Sequence, residues 1–213
     1  MLIFGFKPYH NYHSNITKKI ISQLKENDIL KKELFEVKFN EKMFKDAIVR
    51  HKPSIIIGLG QCSTGKKIRI ERKAINEKRE NVNGVPKPIL KGGPKTSPVN
   101  LKIPSDNHSW ISYYAWDYVC NFAMYQIIRY IKEKNIKKSL SSRGTFGCKR
   151  NRKISRHREL QKQAILLCSR TPCPEGQGFN VRDIKFGFIH IPYNYNEKRF
   201  LSYVKKLIKR YTK

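Results

Sequence analysis

Residues 1–6 and 52–60 constrain this 213-residue chain more than any other part of it. MLIFGF is apolar almost throughout, and KPSIIIGLG is punctuated by Pro53 and Ser54 before Ile55, Ile56 and Ile57 fill it. A strand with one wet face alternates apolar and polar residues. A strand apolar on both faces has to be covered on both, which is the habit of parallel sheets. Around these runs, Ile16, Ile20, Ile21 and Leu24 follow helical spacing, a strand is predicted at about 34–39, and a helix at 41–51. Strands alternating with helices predict a three-layer α/β/α sandwich with a mostly parallel central sheet, and a chain of this length is by default one domain, 1–213. In such sheets the active site lies beyond the carboxyl ends of the strands.

The segment WISYYAWDYVCN, 110–121, changes its period partway. Residues 110–115 are aromatic and β-branched and predict a short buried strand. From Tyr118 onward Val119, Phe122, Ala123, Tyr125, Gln126, Ile127, Tyr130 and Ile131 follow a helix with a broad apolar face that ends in the polar run KEKNIKK. Cys120 is thereby placed in the first turn of a helix. Unpaired N–H groups and the positive end of the helix dipole favour a thiolate there, which makes Cys120 a candidate nucleophile. A buried cysteine packing as a small hydrophobe is the plainer alternative.

Two further stretches supply complementary chemistry. GFIHIP, 187–192, is an apolar strand with His190 near its C-terminal end, and KIRIERKAIN, 67–76, alternates as a strand carrying Glu71. A sulfur that attacks, an imidazole that takes and returns the proton and a carboxylate that holds the ring's tautomer are the parts of an acyl-transfer site. Taken singly, His190 reads as a satisfied core histidine and Glu71 as an exposed strand glutamate.

Four segments in order resemble the pyroglutamyl-peptidase I family of cysteine peptidases: GFKPY at 5–9, GLGQ through ERKAIN at 58–76, AWDYVCN at 115–121 and GFIHIPY at 187–193. The resemblance implies an enzyme that removes N-terminal pyroglutamate through a thiolate and an acyl-enzyme. In it Cys120 is the nucleophile, His190 the general acid and base, and Glu71 the orienting carboxylate. It places Phe6, Tyr9, Gln61, Tyr118 and Val119 at the substrate, requires no metal or organic cofactor, and implies a homo-oligomer. The chain departs from the family pattern at Trp116, where the family has glycine, at His10 and Asn11, which replace two glycines, and over a shortened 77–84 loop. A homologue with impaired catalysis is therefore a second reading. The family joins the cysteine helix to the histidine strand by a short link. Residues 139–180, with nine basic and two acidic residues, are accordingly an insertion, expected to be disordered or loosely folded.

Charge and cysteine usage bound the partners. Forty-five basic residues against 16 acidic ones give +29, which attracts polyanions non-specifically whatever the fold does; a basic nucleic-acid-binding protein is the third reading. The basic residues are scattered, with no recognised nucleic-acid motif. An odd number of cysteines, five, argues for a reducing, cytoplasmic compartment, and no apolar run approaches membrane-spanning length. GQCSTGKK, 60–67, nearly matches a phosphate-binding loop, but the adjoining KIRIERKA alternates as a strand instead of opening a helix, so the phosphate cradle is incomplete. Cys148, His157, Cys168 and Cys173 match no standard zinc spacing. A last helix over about 198–211 turns Phe200, Tyr203, Val204, Leu207 and Ile208 to one side and lysine and arginine to the other.

Overall fold

The fully apolar strands sit where their composition requires, in the interior of a six-stranded sheet. The computed structural model describes residues 1–9, 13–63, 65–81, 83–141 and 184–212, over 136–141 by backbone alone. Its elements in chain order are β1 (Leu2–Phe6), α1 (Ile16–Gln23), β2 (Lys31–Phe35), α2 (Glu41–His51), β3 (Ile55–Cys62), β4 (Ile68–Glu71), β5 (Lys73–Ile75), β6 (Thr96–Pro98), β7 (Ser109–Ser112), α3 (Val119–Ser141), β8 (Lys185–Pro192) and α4 (Glu197–Tyr211). The chain divides into two units, Met1–Asn135 with Val181–Lys213, and Ile136–Asn180. The first unit carries the sheet and the candidate site. The insertion expected at 139–180 lies, beyond Ser141, outside the described residues.

Strand order is β2-β1-β3-β8-β4-β7. The first four strands run parallel, β4 turns antiparallel to β8, and β7 is parallel to β4, so the sheet is mostly parallel as predicted. One face packs Ile3, Ile57, Leu59, Ile68, Ile70, Ile189 and Ile191 against Ile20 and Ile21 of α1 and Phe200, Val204 and Leu207 of α4. On the other, Phe4 of β1 meets Phe44 of α2 at 6.2 Å between ring centroids, and Phe44 meets Phe122 of α3 at 6.4 Å. Helices on both faces make the three layers. Asparagine opens α1, α2 and α4: the side chains of Asn15, Asn40 and Asn196 accept from the backbone N–H of Thr17, Lys42 and Arg199, satisfying donors that each first turn leaves unpaired.

Several boundaries differ from the sequence expectation, for reasons visible in the packing. β2 covers Lys31–Phe35, not 34–39, because it is an edge strand whose charged residues stay partly in water and so hide its periodicity. The single strand expected over 67–76 breaks at Arg72, whose N–H donates to Ser112 O at 2.8 Å while its carbonyl accepts from Val99 N–H at 3.0 Å. Glu71 thus ends a strand of the main sheet, and Lys73 begins one of a separate two-stranded sheet with β6. Nor is 110–115 a buried strand. β7 is four residues long at the sheet's edge, with Trp110 48% exposed. The helix after Tyr118 continues through the polar run to Ser141. After β3 the next element is β4, so GQCSTGKK opens no helix.

Candidate active site

The site is assembled on the α2/α3 side of the sheet by the two-residue period of its strands. In β8, Ile189 and Ile191 face α1 and α4, which turns His190 to the opposite side. In β4, Ile68 and Ile70 share the isoleucine face, which turns Arg69 and Glu71 toward His190. His190 Nδ1 lies 2.8 Å from Glu71 Oε1, with His190 4% and Glu71 0% exposed. A carboxylate only accepts, so the pairing assigns the ring proton to Nδ1 and leaves the lone pair on Nε2.

Gly60 is the register partner of His190 on the other flank, in β3. Cys120 Sγ and His190 Cδ2 each lie 2.8 Å from the point where a Cβ on Gly60 would stand. The two atoms are therefore no further apart than twice that distance. Cδ2 is bonded to Nε2, so the ring edge that carries this nitrogen borders the same point above Gly60 as the sulfur does.

Cys120 is in the first turn of α3, entered through a turn at Trp116 with φ +65°. Only glycine, asparagine and aspartate occupy that region readily, so the tryptophan holds a glycine-like conformation at a cost. Burial pushes the Cys120 thiol well above its ordinary pKa. Cys62 and Glu71 add to the rise, and the nearby Arg69 opposes it. Desolvation is the largest cause of that rise, and a neighbouring base that took the proton would make the sulfur a nucleophile.

The other candidates fall into two groups. Tyr9 and Tyr118 meet at 6.0 Å between ring centroids, Tyr118 and Phe39 at 5.8 Å, and Phe39 and Phe122 at 5.3 Å, making an aromatic group above the β1–β2 end of the sheet. The Tyr118 hydroxyl is pushed up by burial and by the Cys120 sulfur. Phe6, at the end of β1, is on the same face, 5.9 Å from Phe4. Val119 is 1% exposed, so its side chain belongs to the core and only its backbone remains for a ligand. Gln61 points the other way, because it alternates with Gly60. Its Oε1 accepts from Ile16 N–H at 2.9 Å, at the start of α1, and the structure does not bring that carbonyl to the sulfur.

Some positions that sequence reasoning gave no role hold the site together. Asn121, 0% exposed, accepts from Ile75 N–H at 2.8 Å and donates to Ile75 O at 3.0 Å and Glu77 O at 2.8 Å, fixing the cysteine turn to β5. Asn76 bridges Leu90 on both backbone groups at 2.8 Å. Arg79, in the shortened loop, pairs with Asp117 at 2.8 Å, next to Trp116. An asparagine directly after the cysteine is the one local signal for the first of these. The other two depend on contacts distant in sequence. Cys148, His157, Cys168 and Cys173 lie outside the described residues.

The family model described as pyroglutamyl peptidase matches residues 1–87, a stretch that includes Gly60 and Glu71. A pyrrolidone-carboxylate peptidase of Halalkalibacterium halodurans is 32% identical over 155 residues, covering 63% of this chain and 76% of that one. One of Clostridium botulinum is 26% identical over 199 residues, covering 91% and 78%. In structure, pyroglutamyl peptidase I of Bacillus amyloliquefaciens superposes with a TM-score of 0.65 at 20% identity, over 96% of this chain and 92% of that one. Identity above 30% across three quarters of a relative and a shared three-layer fold leave one conclusion, that the chain belongs to the pyroglutamyl peptidase family.

Proposed function

We propose that this protein is a cysteine exopeptidase that removes pyroglutamate from the N-terminus of peptides, with Cys120, His190 and Glu71 as its catalytic residues. The arrangement supporting the reading is a sulfur and an imidazole edge both at 2.8 Å from the same point above Gly60, with the ring's far nitrogen held by a fully buried carboxylate at 2.8 Å. His190 Nε2 takes the thiol proton as Sγ attacks the pyroglutamyl carbonyl carbon, and the carbonyl electron pair moves to oxygen. Backbone N–H groups at the start of α3 stabilise that oxyanion. His190 then gives the proton to the departing amine, the C–N bond breaks, and a thioester remains. Water, deprotonated by the same Nε2, attacks the thioester, and the sulfur leaves and recovers its proton.

The substrate follows from the end group. A lactam has no charged amine and can be desolvated among Phe6, Tyr9 and Tyr118, whereas an ordinary charged N-terminus cannot be without a large cost. A reducing, cytoplasmic setting suits such a thiol. Hydrolysis of pyroglutamyl 7-amido-4-methylcoumarin tests the reading: turnover by the wild type that disappears in Cys120→Ala supports it, and turnover unaffected by that substitution removes it.

A further inference from the structure

Arg69 is a cation for which the peptidase mechanism above has no use. It is the direct register partner of His190 across the β4–β8 ladder, on the same face as Glu71, and is half-buried. Its guanidinium carbon lies 5.6 Å from the centre of the Trp116 ring, and its Nε is buried with no hydrogen-bond partner. Among the described residues no carboxylate pairs with it; Glu71, two residues on, is engaged with His190. A half-buried guanidinium stacked on an aromatic face and short of acceptors is built to receive a planar anion. Its register with His190 places it beside the candidate centre, and its charge also favours the thiolate of Cys120.

The sheet order says which part of a substrate would reach it. Tyr9, Tyr118, Phe39 and Phe6 lie toward β1 and β2, His190 on β8 stands in the middle, and Arg69 lies beyond it on β4. A peptide with its pyroglutamate among the aromatic rings and its scissile nitrogen at His190 continues over Arg69 and Trp116. We propose that Arg69, braced by Trp116, receives a carboxylate of the residue immediately after pyroglutamate, so that the enzyme selects peptides that are acidic on the departing side. The proposal rests on the peptidase reading. Arg69 acts on specificity: it touches the leaving residue and not the bond that breaks.

The test compares kcat/KM within each protein for two isosteric pairs: pyroglutamyl-aspartyl amide against pyroglutamyl-asparaginyl amide, and pyroglutamyl-alanine against its amide. The first pair carries the carboxylate on the side chain and the second on the chain end. The wild type is expected to favour the acid about tenfold in at least one pair, with the preference shrinking as salt is raised. Arg69→Gln is expected to bring that ratio near one whatever its overall rate, and Arg69→Lys to retain part of it. A purely structural role for Arg69 would change the rates and leave the ratio. Ratios near one in the wild type, or an unchanged ratio in Arg69→Gln, overturn the proposal; where Arg69→Gln does not fold, Arg69→Lys and the wild-type salt dependence decide it. Turnover of the uncharged coumarin amide without an acid preference sinks this inference alone, whereas no turnover of any substrate sinks the peptidase reading with it.

Discussion

Gly60 and His190 are partners in the β3–β8 ladder, and the missing side chain of the first is what lets the Cys120 sulfur approach the ring of the second. The glycine is needed for space. A Cβ there would meet Cys120 Sγ at 2.8 Å, His190 Cδ2 at 2.8 Å and Phe188 Cε1 at 2.9 Å, closer than real Cβ contacts come.

Gly60→Ala should accordingly separate the sulfur from the imidazole. Overpacking of this kind costs about 1–3 kcal/mol of stability. A displacement of about 1 Å at the reacting atoms costs roughly a hundredfold in kcat. Urea unfolding and turnover measured on the same preparation check both, and an alanine variant with wild-type kcat would refute the packing argument.

Glu71→Gln keeps the shape of the buried pair while removing the obligatory acceptor. The amide can turn its NH2 toward Nδ1 and so favour the tautomer with its proton on Nε2, which cannot accept from sulfur. A loss of roughly three to four orders of magnitude in kcat, with KM little changed, is the expected result. A loss confined to KM would mean that Glu71 serves binding.

The half-buried Cys120 thiol has a definite pH signature. Because burial raises its pKa, the thiolate fraction at neutral pH lies below that of an ordinary cysteine and grows as pH rises. In the substrate-free protein the rate of Cys120 alkylation by iodoacetamide should climb about tenfold per pH unit from neutrality through the ordinary thiol range without levelling off. Mass spectrometry of the Cys120 peptide tracks it, and a plateau near neutrality would show instead a preformed thiolate.

Trp116 separates backbone cost from ring contact. At φ +65° an alanine pays the same left-handed penalty as tryptophan and lacks the stacking with Arg69, while glycine pays none. Trp116→Gly should therefore be more stable than Trp116→Ala by about 1 kcal/mol in denaturant titrations. Equal stability of the two variants would show that the turn relaxes when the ring is removed.

Much of this was legible in the residues. The three apolar runs ending at Phe6, around Ile57 and through His190 declared interior strands, because no other setting covers both faces of such a segment. Helix α2 coincides with its predicted span, since its amphipathic period is local and Asn40 marks its start. What failed were segments whose environment is set from far along the chain. β2 carries lysines because it is an edge, and the 67–76 strand breaks at Arg72 because Ser112 and Val99 claim its backbone.

By itself, then, the sequence determined the layer architecture and offered a cysteine, a histidine and a glutamate in recognisable surroundings. Local periodicity reports how each segment is buried, and that suffices for layers. Only the tertiary structure decided that β8 lies between β3 and β4, with Gly60 on one side of His190 and Arg69 on the other. Strand order and register are contacts between residues scores of positions apart, and no period along the chain encodes them.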